Sequence, residues 1–189
     1  MALRSAPRSR PSLEDGGHHK RFEEFALSLH PDKTRLIEFG RHAADRRARC
    51  GFSKPETFNF LGFTFICGRS RRGNFPLKRK SRRDRVRAKL KEIKEDLWRR
   101  MHWSIPEQGS WLAQVIRGFF AYHAVPTNFT VLSMFRHQIV RLWLRTLRRR
   151  SQKDRTPWSR MAKLAKDFLP KPKILHPWPA VRFAAKHPR

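Results

Sequence analysis

The chain has 189 residues, of which 44 are Lys or Arg and 15 are Asp or Glu, giving a formal net charge of +29 at pH 7. Hydrophobic residues make up 39% and include 15 Phe and 6 Trp; such aromatic side chains bury large areas and can hold a modest core together. The length suits one domain, or one domain with fragments. The composition indicates a folded protein with basic tails and not a disordered polycation.

The charge excess predicts a nucleic-acid partner. Phosphate is the usual counter-charge, because displacing its condensed cations makes binding strong and salt-sensitive. Arg outnumbers Lys about two to one, which favours bidentate phosphate contacts. A membrane surface is the competing partner, but the sequence carries no lipidation motif and no long apolar span. We therefore expect neither a membrane nor a small-molecule substrate as partner.

The N-terminal residues and the cysteines indicate a cytoplasmic location, bacterial or, in a eukaryote, organellar. Residues 1–20 lack hydrophobic periodicity and an apolar core, so we predict a disordered leader and no secretory signal. Cys50 and Cys67 lack the close pairing of zinc sites. A disulfide framework is equally unexpected, which suits a reducing compartment.

The first predicted elements span residues 21–68. Apolar residues recur with helical spacing over residues 22–29, and a Pro-containing turn at residues 30–32 ends that helix. Residues 34–39 suit a strand, and residues 41–54 form a basic, polar connector.

A buried antiparallel β-hairpin is predicted over residues 57–66. Phe alternates along this stretch until Leu61 and Gly62, and a glycine inside such a run indicates a turn or a close approach of two backbones.

A basic loop over residues 69–83 precedes the first of four predicted helices. The stripe of that first helix recurs every three or four residues and comprises Val86, Leu90, Ile93, Leu97 and Met101.

After a turn at residues 104–109, the second helix runs from Trp111 to about residue 124. Asn128 or Thr130 can cap the third helix, which runs into residues 148–150.

The fourth helix covers about residues 157–168, and five prolines after it predict an extended tail. The expected fold is mainly α with a small N-terminal β-hairpin. The expected divisions are a leader at 1–20, a hairpin segment at 21–68, a helical domain at 69–169 and a Pro-rich basic tail at 170–189.

Basic residues concentrate in two clusters. Residues 69–100 contain 15 Lys or Arg and four acids, and residues 136–166 contain 11 and one. Both clusters flank helices with an apolar stripe, so folding should place the charge on one side, as a phosphate-tracking surface requires. A solvated basic face is the alternative. Trp143 and Trp158 in the second cluster could stack on unpaired bases, although their helical spacing favours core packing.

Several short stretches carry a family resemblance. Residues 27–35 (LSLHPDKTR), 39–40 (FG) and 57–63 (TFNFLGF) resemble the end of the palm in group II intron-encoded reverse transcriptases. Later stretches resemble the thumb and the maturase-specific domain X of the same family: residues 106–109, 122–126, 143, 147–152 and 176–179. The match keeps the family's order and spacing over about residues 21–183, and it rests on the stretches together.

The resemblance implies a truncated palm remnant followed by a helical thumb and maturase bundle that binds intron RNA and assists its folding and splicing. In it Leu61, Gly62 and Phe63 correspond to the primer-grip hairpin. Charge and resemblance together give these candidate RNA-binding residues: Lys33, Arg35, Arg79, Lys80, Arg82, Arg83, Arg136, Arg148, Arg149, Arg150 and Trp158.

The sequence departs from the family in its catalytic residues. Two-metal polymerisation needs converging carboxylates, and the chain contains no Asp-Asp pair; its one Tyr, Tyr122, is followed by His123, where the family leads us to expect a second Tyr. The fingers, most of the palm and the endonuclease of some members are also missing. We therefore expect no polymerase site, metal or cofactor in this chain, with Mg²⁺ required only by a complete enzyme.

Other roles stay open. His30 with Asp32, or His102 with Glu107, could form an acid–base pair, but surface or capping roles are favoured because neither has a nucleophile beside it. The chain could instead be part of an RNA-directed DNA polymerase whose palm is a separate polypeptide. It could also be a basic accessory protein of a ribonucleoprotein, or a non-functional remnant.

Overall fold

The computed structural model describes residue 25 and residues 37–69, 75–151, 153 and 155–178. The chain groups into two compact units, residues 1–56 and 57–189. Within the described residues the fold is mainly helical with a small three-stranded antiparallel sheet, which confirms the predicted class. The elements are α1 (Ala43–Arg49), β1 (Phe58–Phe60), β2 (Phe63–Cys67), β3 (Leu77–Ser81), α2 (Arg83–Arg99), α3 (Ile105–His123), α4 (Phe129–Arg149) and α5 (Trp158–Phe168).

The first unit contains α1, where the sequence predicted only a connector. Ala and Arg are strong helix formers, and Asp45 in the first turn with arginines in the last complements the helix dipole. Residues 37–39, the described part of the predicted strand, have no regular structure. Of the predicted helix at 22–29, only Phe25 is described, and it lies in a turn.

The predicted hairpin is confirmed, with a two-residue turn at Leu61 and Gly62. Their φ angles are 45° and 76°, the positive pair that a type I′ turn requires. The register pairs Phe60 with Phe63. Burial is less complete than predicted, because Phe63 is 7% exposed but Phe60 is 57% exposed.

Strand β3 lies in the segment predicted as a basic loop. Leu77–Ser81 shows no apolar alternation, so its sequence does not indicate a strand. It pairs antiparallel with β2, from Phe63 opposite Ser81 to Cys67 opposite Leu77. This pairing satisfies backbone groups that would otherwise lack partners. Strand β3 also lies in the same compact unit as the hairpin and the helices.

The four helices of the second unit share one core. All four contribute buried apolar side chains to it, including Val86, Ile93 and Leu97 of the predicted stripe. Trp143 is fully buried, so this tryptophan packs in the core and offers no face to a base. The largest fully buried apolar side chains are Trp143, Phe135, Ile93, Leu97, Leu112, Ile116, Leu132, Ile139 and Met161.

Helix α3 begins earlier than predicted, because Ser104 caps it. Ser104 Oγ accepts from the backbone N–H of Glu107, and the Glu107 carboxylate accepts from the backbone N–H of Ser104, a capping box. Pro106 lies in the first turn, where its missing N–H costs nothing. Residues 105–109 are therefore helical, and the predicted turn there is wrong.

Two other local predictions can be compared with the structure. Asn128 occupies the N-cap position of α4 but makes no capping bond with its side chain. Residues 170–178 have no regular structure, as the prolines predicted. In this tail segment the backbone N–H groups of Leu175 and His176 donate to Ala124 O, over 3.0 and 3.1 Å.

Candidate nucleic-acid interface

The C-terminal ends of α2 and α4 meet and bring arginine and tryptophan side chains together. Arg150 at the end of α4 donates from Nε to Met101 O, over 2.7 Å, and from Nη2 to Trp103 O. The guanidinium of Arg149 lies 5.1 Å from the ring centroid of Trp98. We call this group the Arg–Trp cluster. It consists of Trp98, Arg99, Arg100, Trp103, Arg149 and Arg150.

Buried residues hold the loop of this cluster in place. Gln108 is fully buried and donates from Nε2 to Arg100 O at 2.6 Å and to Met101 O at 3.2 Å. Its Oε1 accepts from Trp143 Nε1 at 2.8 Å. The loop therefore has a defined conformation before any ligand arrives, which lowers the ordering cost of binding.

Arg100 has a structural role within the cluster. Its guanidinium lies 5.1 Å from the Trp103 ring and 4.6 Å from the Trp111 ring, and it pairs with Asp96 at 3.2 Å. Packed on two indole rings and neutralised by a carboxylate, it orients Trp103.

The exposed part of the cluster consists of arginines and indole faces. Trp98 is 57% exposed and Trp103 45%, and Arg99 and Arg149 are exposed as well. Exposed arginines attract phosphate, and indole faces stack on bases. Neither Trp98 nor Trp103 was among the predicted RNA-binding residues, although Trp-Arg-Arg at 98–100 with Trp103 close by is a basic–aromatic pattern.

The three consecutive predicted arginines have different partners. Arg148 donates to Thr156 O from Nε at 3.1 Å and from Nη2 at 2.8 Å. Arg150 donates to the Met101 and Trp103 carbonyls. Arg149 stacks on Trp98 and, unlike the other two, has no side-chain hydrogen bond to a backbone carbonyl among the described residues.

A second predicted group lies at the opposite end of α2. Lys80 and Arg83 are exposed. Arg82 pairs with Asp84 at 2.6 Å, and burial lowers the pKa of Arg79. Helix α2 has 17 residues, so about 25 Å separates this group from the Arg–Trp cluster, at about 1.5 Å per residue.

Arg136 acts inside the protein. It donates to Ala165 O at 2.6 Å, to Pro170 O at 3.0 Å and to Leu169 O at 3.3 Å, and burial lowers its pKa. Ala165 lies in the last turn of the helix, where its carbonyl also accepts from the backbone N–H of Leu169, and Leu169 and Pro170 directly follow the helix. Arg136 therefore holds the C-terminal end of α5 against α4.

Trp158, in contrast, is 45% exposed. Its ring centroid lies 5.7 Å from that of His137, with the two planes inclined by 57°. Lys33 and Arg35 lie outside the described residues.

The primer-grip-like turn is anchored to α3. Tyr122 donates its hydroxyl to Leu61 O at 2.6 Å, and the backbone N–H of Arg82 donates to Gly62 O at 2.9 Å. Phe63 packs against the rings of Tyr122 and His123, with centroids 5.5 and 5.2 Å away. Leu61 remains exposed at the tip.

A serine–histidine contact nearby is structural. Ser81 Oγ lies 2.9 Å from His123 Nδ1 and accepts from Asn128 Nδ2 at 2.8 Å. Ser81 is buried and held by an amide, so it lacks the access and the carboxylate-oriented base of an activated nucleophile.

Glu107 is likewise occupied by the capping box, and its hydrogen bonds with Ser104 hold the pKa of its carboxyl below the usual range. This leaves it a weak base for His102. His30 and Asp32 lie outside the described residues.

Within the part of the chain that the structure describes, no three His, Cys, Asp or Glu side chains gather as a metal site. Cys50 and Cys67 are free thiols. None of the described helices is both long and apolar enough to cross a membrane.

No family model matches the chain, and neither a curated protein nor a solved structure matches it. The likeness to reverse transcriptases therefore rests on the short stretches quoted from the sequence.

Proposed function

We propose that the chain binds structured RNA, in the way that the resemblance to a group II intron maturase implies, and that the Arg–Trp cluster is a principal contact surface. The observation that carries this proposal is the meeting of two helix ends that expose Trp98, Trp103 and Arg149 together on a chain of charge +29. Phosphate attraction supplies affinity, and stacking on indole faces favours unpaired or irregular regions of RNA.

The alternative role for the same arginines is structural: they compensate the helix dipole. Cations in the last turn of a helix stabilise its negative end, and Arg99, Arg148 and Arg149 occupy such positions. Dipole compensation does not account for two largely exposed tryptophans at the same place, because exposing large aromatic surface has a hydration cost. A ligand that stacks on them removes that cost.

The decisive measurement is affinity for a group II intron RNA against an unrelated RNA of equal length, across a salt series. Preferential binding of the intron RNA is the expected result. Equal affinity for the two RNAs at every salt concentration would show that the chain binds only as a generic polycation, and it would contradict the maturase-like role.

Replacing Arg149 tests the surface itself. Arg149→Ala should weaken binding and lower the slope of log affinity against log salt by about one unit, since one phosphate contact is lost. The matched control is Arg117→Ala, which removes an exposed charge from α3 outside both basic clusters. Equal effects of the two variants would place Arg149 outside the interface.

Arg148→Ala and Arg150→Ala should behave differently. Both side chains donate to backbone carbonyls, so their loss should destabilise the fold by about 1–3 kcal/mol where the carbonyl is left unsatisfied. Denaturant unfolding measures this effect, and an unchanged free energy of unfolding for both variants would contradict the structural role.

A further inference from the structure

We propose that the groove between α4 and α5 holds one unpaired base of the RNA, stacked on Trp158 beside His137. This inference rests on the proposed RNA binding and names the form of RNA that the site selects.

The groove has the size and composition of a ligand site. Its volume is about 430 Å³, within the range of small-molecule pockets, roughly 300–1,000 Å³. His137 and Val140 form the α4 side, Trp158 and Ala162 form the α5 side, and Pro172 lies at one edge. Ala162 lies one helical turn after Trp158 on α5, and its small side chain leaves room beside the indole for a flat ring.

The two aromatic rings are presented to solvent and held in position. Trp158 is 45% exposed and His137 is exposed, and their planes are inclined by 57° at a centroid distance of 5.7 Å. A base stacked on the indole therefore brings its edge toward the imidazole. The bonds from Arg136 to the end of α5 hold the two walls together, so the groove exists before the ligand binds.

The positive charge around the groove favours a base that belongs to a phosphate backbone. Arg141 follows His137 by one helical turn and Lys166 follows Ala162 by one turn, which places each on the groove side of its helix. Lys171 and Lys173 flank Pro172. All four cations are exposed, and they can contact the phosphates on either side of an inserted base.

The groove and the Arg–Trp cluster are separate sites on one helix. From His137 to Arg149, α4 advances about 18 Å at about 1.5 Å per residue. One RNA can therefore place a bulged nucleotide in the groove and its backbone on the cluster.

The test compares two RNA hairpins of equal length and charge, one fully paired and one with a single-nucleotide bulge. The full chain should bind the bulged hairpin more tightly. Trp158→Ala should reduce that preference about tenfold, the change expected from losing one stacking contact, and Trp158→Phe should restore part of it.

Two further variants separate the groove from general effects. Ala162→Leu should also remove the preference, because the larger side chain occupies the space beside Trp158 while Trp158 stays in place and helix propensity barely changes. Trp178→Ala removes an exposed tryptophan of the tail and should leave the preference unchanged. Circular dichroism melts establish that each variant is folded.

The outcomes distinguish the two proposals. If the unaltered chain binds neither hairpin, RNA binding itself is wrong. If it binds both hairpins with equal affinity, or if Trp158→Ala and Trp178→Ala change the preference equally, RNA binding stands and the groove proposal is overturned.

Discussion

At the residue scale, the junction between β3 and the helices depends on Asn128. Its Oδ1 accepts from the backbone N–H of Ser81 at 3.1 Å, and its Nδ2 donates to Ser81 Oγ and to His123 O, both at 2.8 Å. Asn128 is fully buried, and each of these groups would be costly to leave unpaired. A residue that local sequence assigns to helix capping is therefore used to join a strand to two helices.

Alanine substitutions of Phe63 and Phe60 compare a buried and an exposed phenylalanine of the same hairpin. Phe63→Ala should lower the free energy of unfolding by about 3–5 kcal/mol, because it leaves a cavity beside Tyr122 and His123. Phe60→Ala should cost clearly less, since Phe60 is largely exposed. Urea unfolding of both variants measures the difference, and equal losses would contradict the assigned burial.

His123 should make stability depend on pH. Burial lowers the pKa of His123 below the ordinary histidine value of about 6.5, so the unfolded chain binds a proton more readily than the folded one. Its contribution to stability is complete above about pH 6.5 and is lost as the pH falls below that value toward the lowered pKa.

Denaturant unfolding at pH 7.5 and at pH 5.5, for the unaltered chain and for His123→Gln, isolates this effect. Other titrating groups are common to both proteins, so the loss on acidification should be smaller in the variant. An identical loss in both would show that His123 does not contribute.

At the element scale, the packing of α3 on α5 depends on a glycine. A Cβ at Gly109 would lie 2.6 Å from the ring of Phe168, closer than van der Waals contact allows. Gly118, on the same helix, has open space where its Cβ would lie. One helix therefore contains a glycine required by packing and a glycine that packing does not require.

The two alanine substitutions should change stability in opposite directions. Gly118→Ala should stabilise by about 0.5–1 kcal/mol, because alanine is the better helix former. Gly109→Ala should destabilise by about 1–3 kcal/mol, because overpacking outweighs that gain. Thermal unfolding of both variants is the measurement, and stabilisation by Gly109→Ala would contradict the close contact between α3 and α5.

At the scale of the whole molecule, charge opposes compaction. A net charge of +29 repels itself within the folded state, whereas the exposed ion pairs, such as Lys89 with Glu92, contribute little. Sodium chloride should therefore raise Tm, most steeply between about 0.05 and 0.3 M, where the Debye length shortens below about 10 Å.

The shape of the salt response identifies its cause. Screening of self-repulsion predicts a rise in Tm that levels off at higher salt. A rise that continues in proportion to salt concentration would indicate exclusion of salt from the surface, and a falling Tm would contradict net self-repulsion.

The sequence by itself determined the four helices of the second unit, the hairpin and the concentration of positive charge. These follow from local periodicity, from a glycine that interrupts a strand pattern, and from composition, all of which are read within short stretches of the chain. The stripe containing Val86, Ile93 and Leu97 and the turn at Leu61 and Gly62 were both predicted correctly for this reason.

Only the tertiary structure decided which side chains are available to a ligand. Strand β3 exists because β2 offers it backbone partners, and Arg136 and Arg150 are occupied by carbonyls distant in sequence. Trp98 and Arg149 meet because two helices end at the same place. Such pairings join residues far apart in the chain, so no local pattern records them, and they separate the arginines that hold the fold together from those that remain exposed.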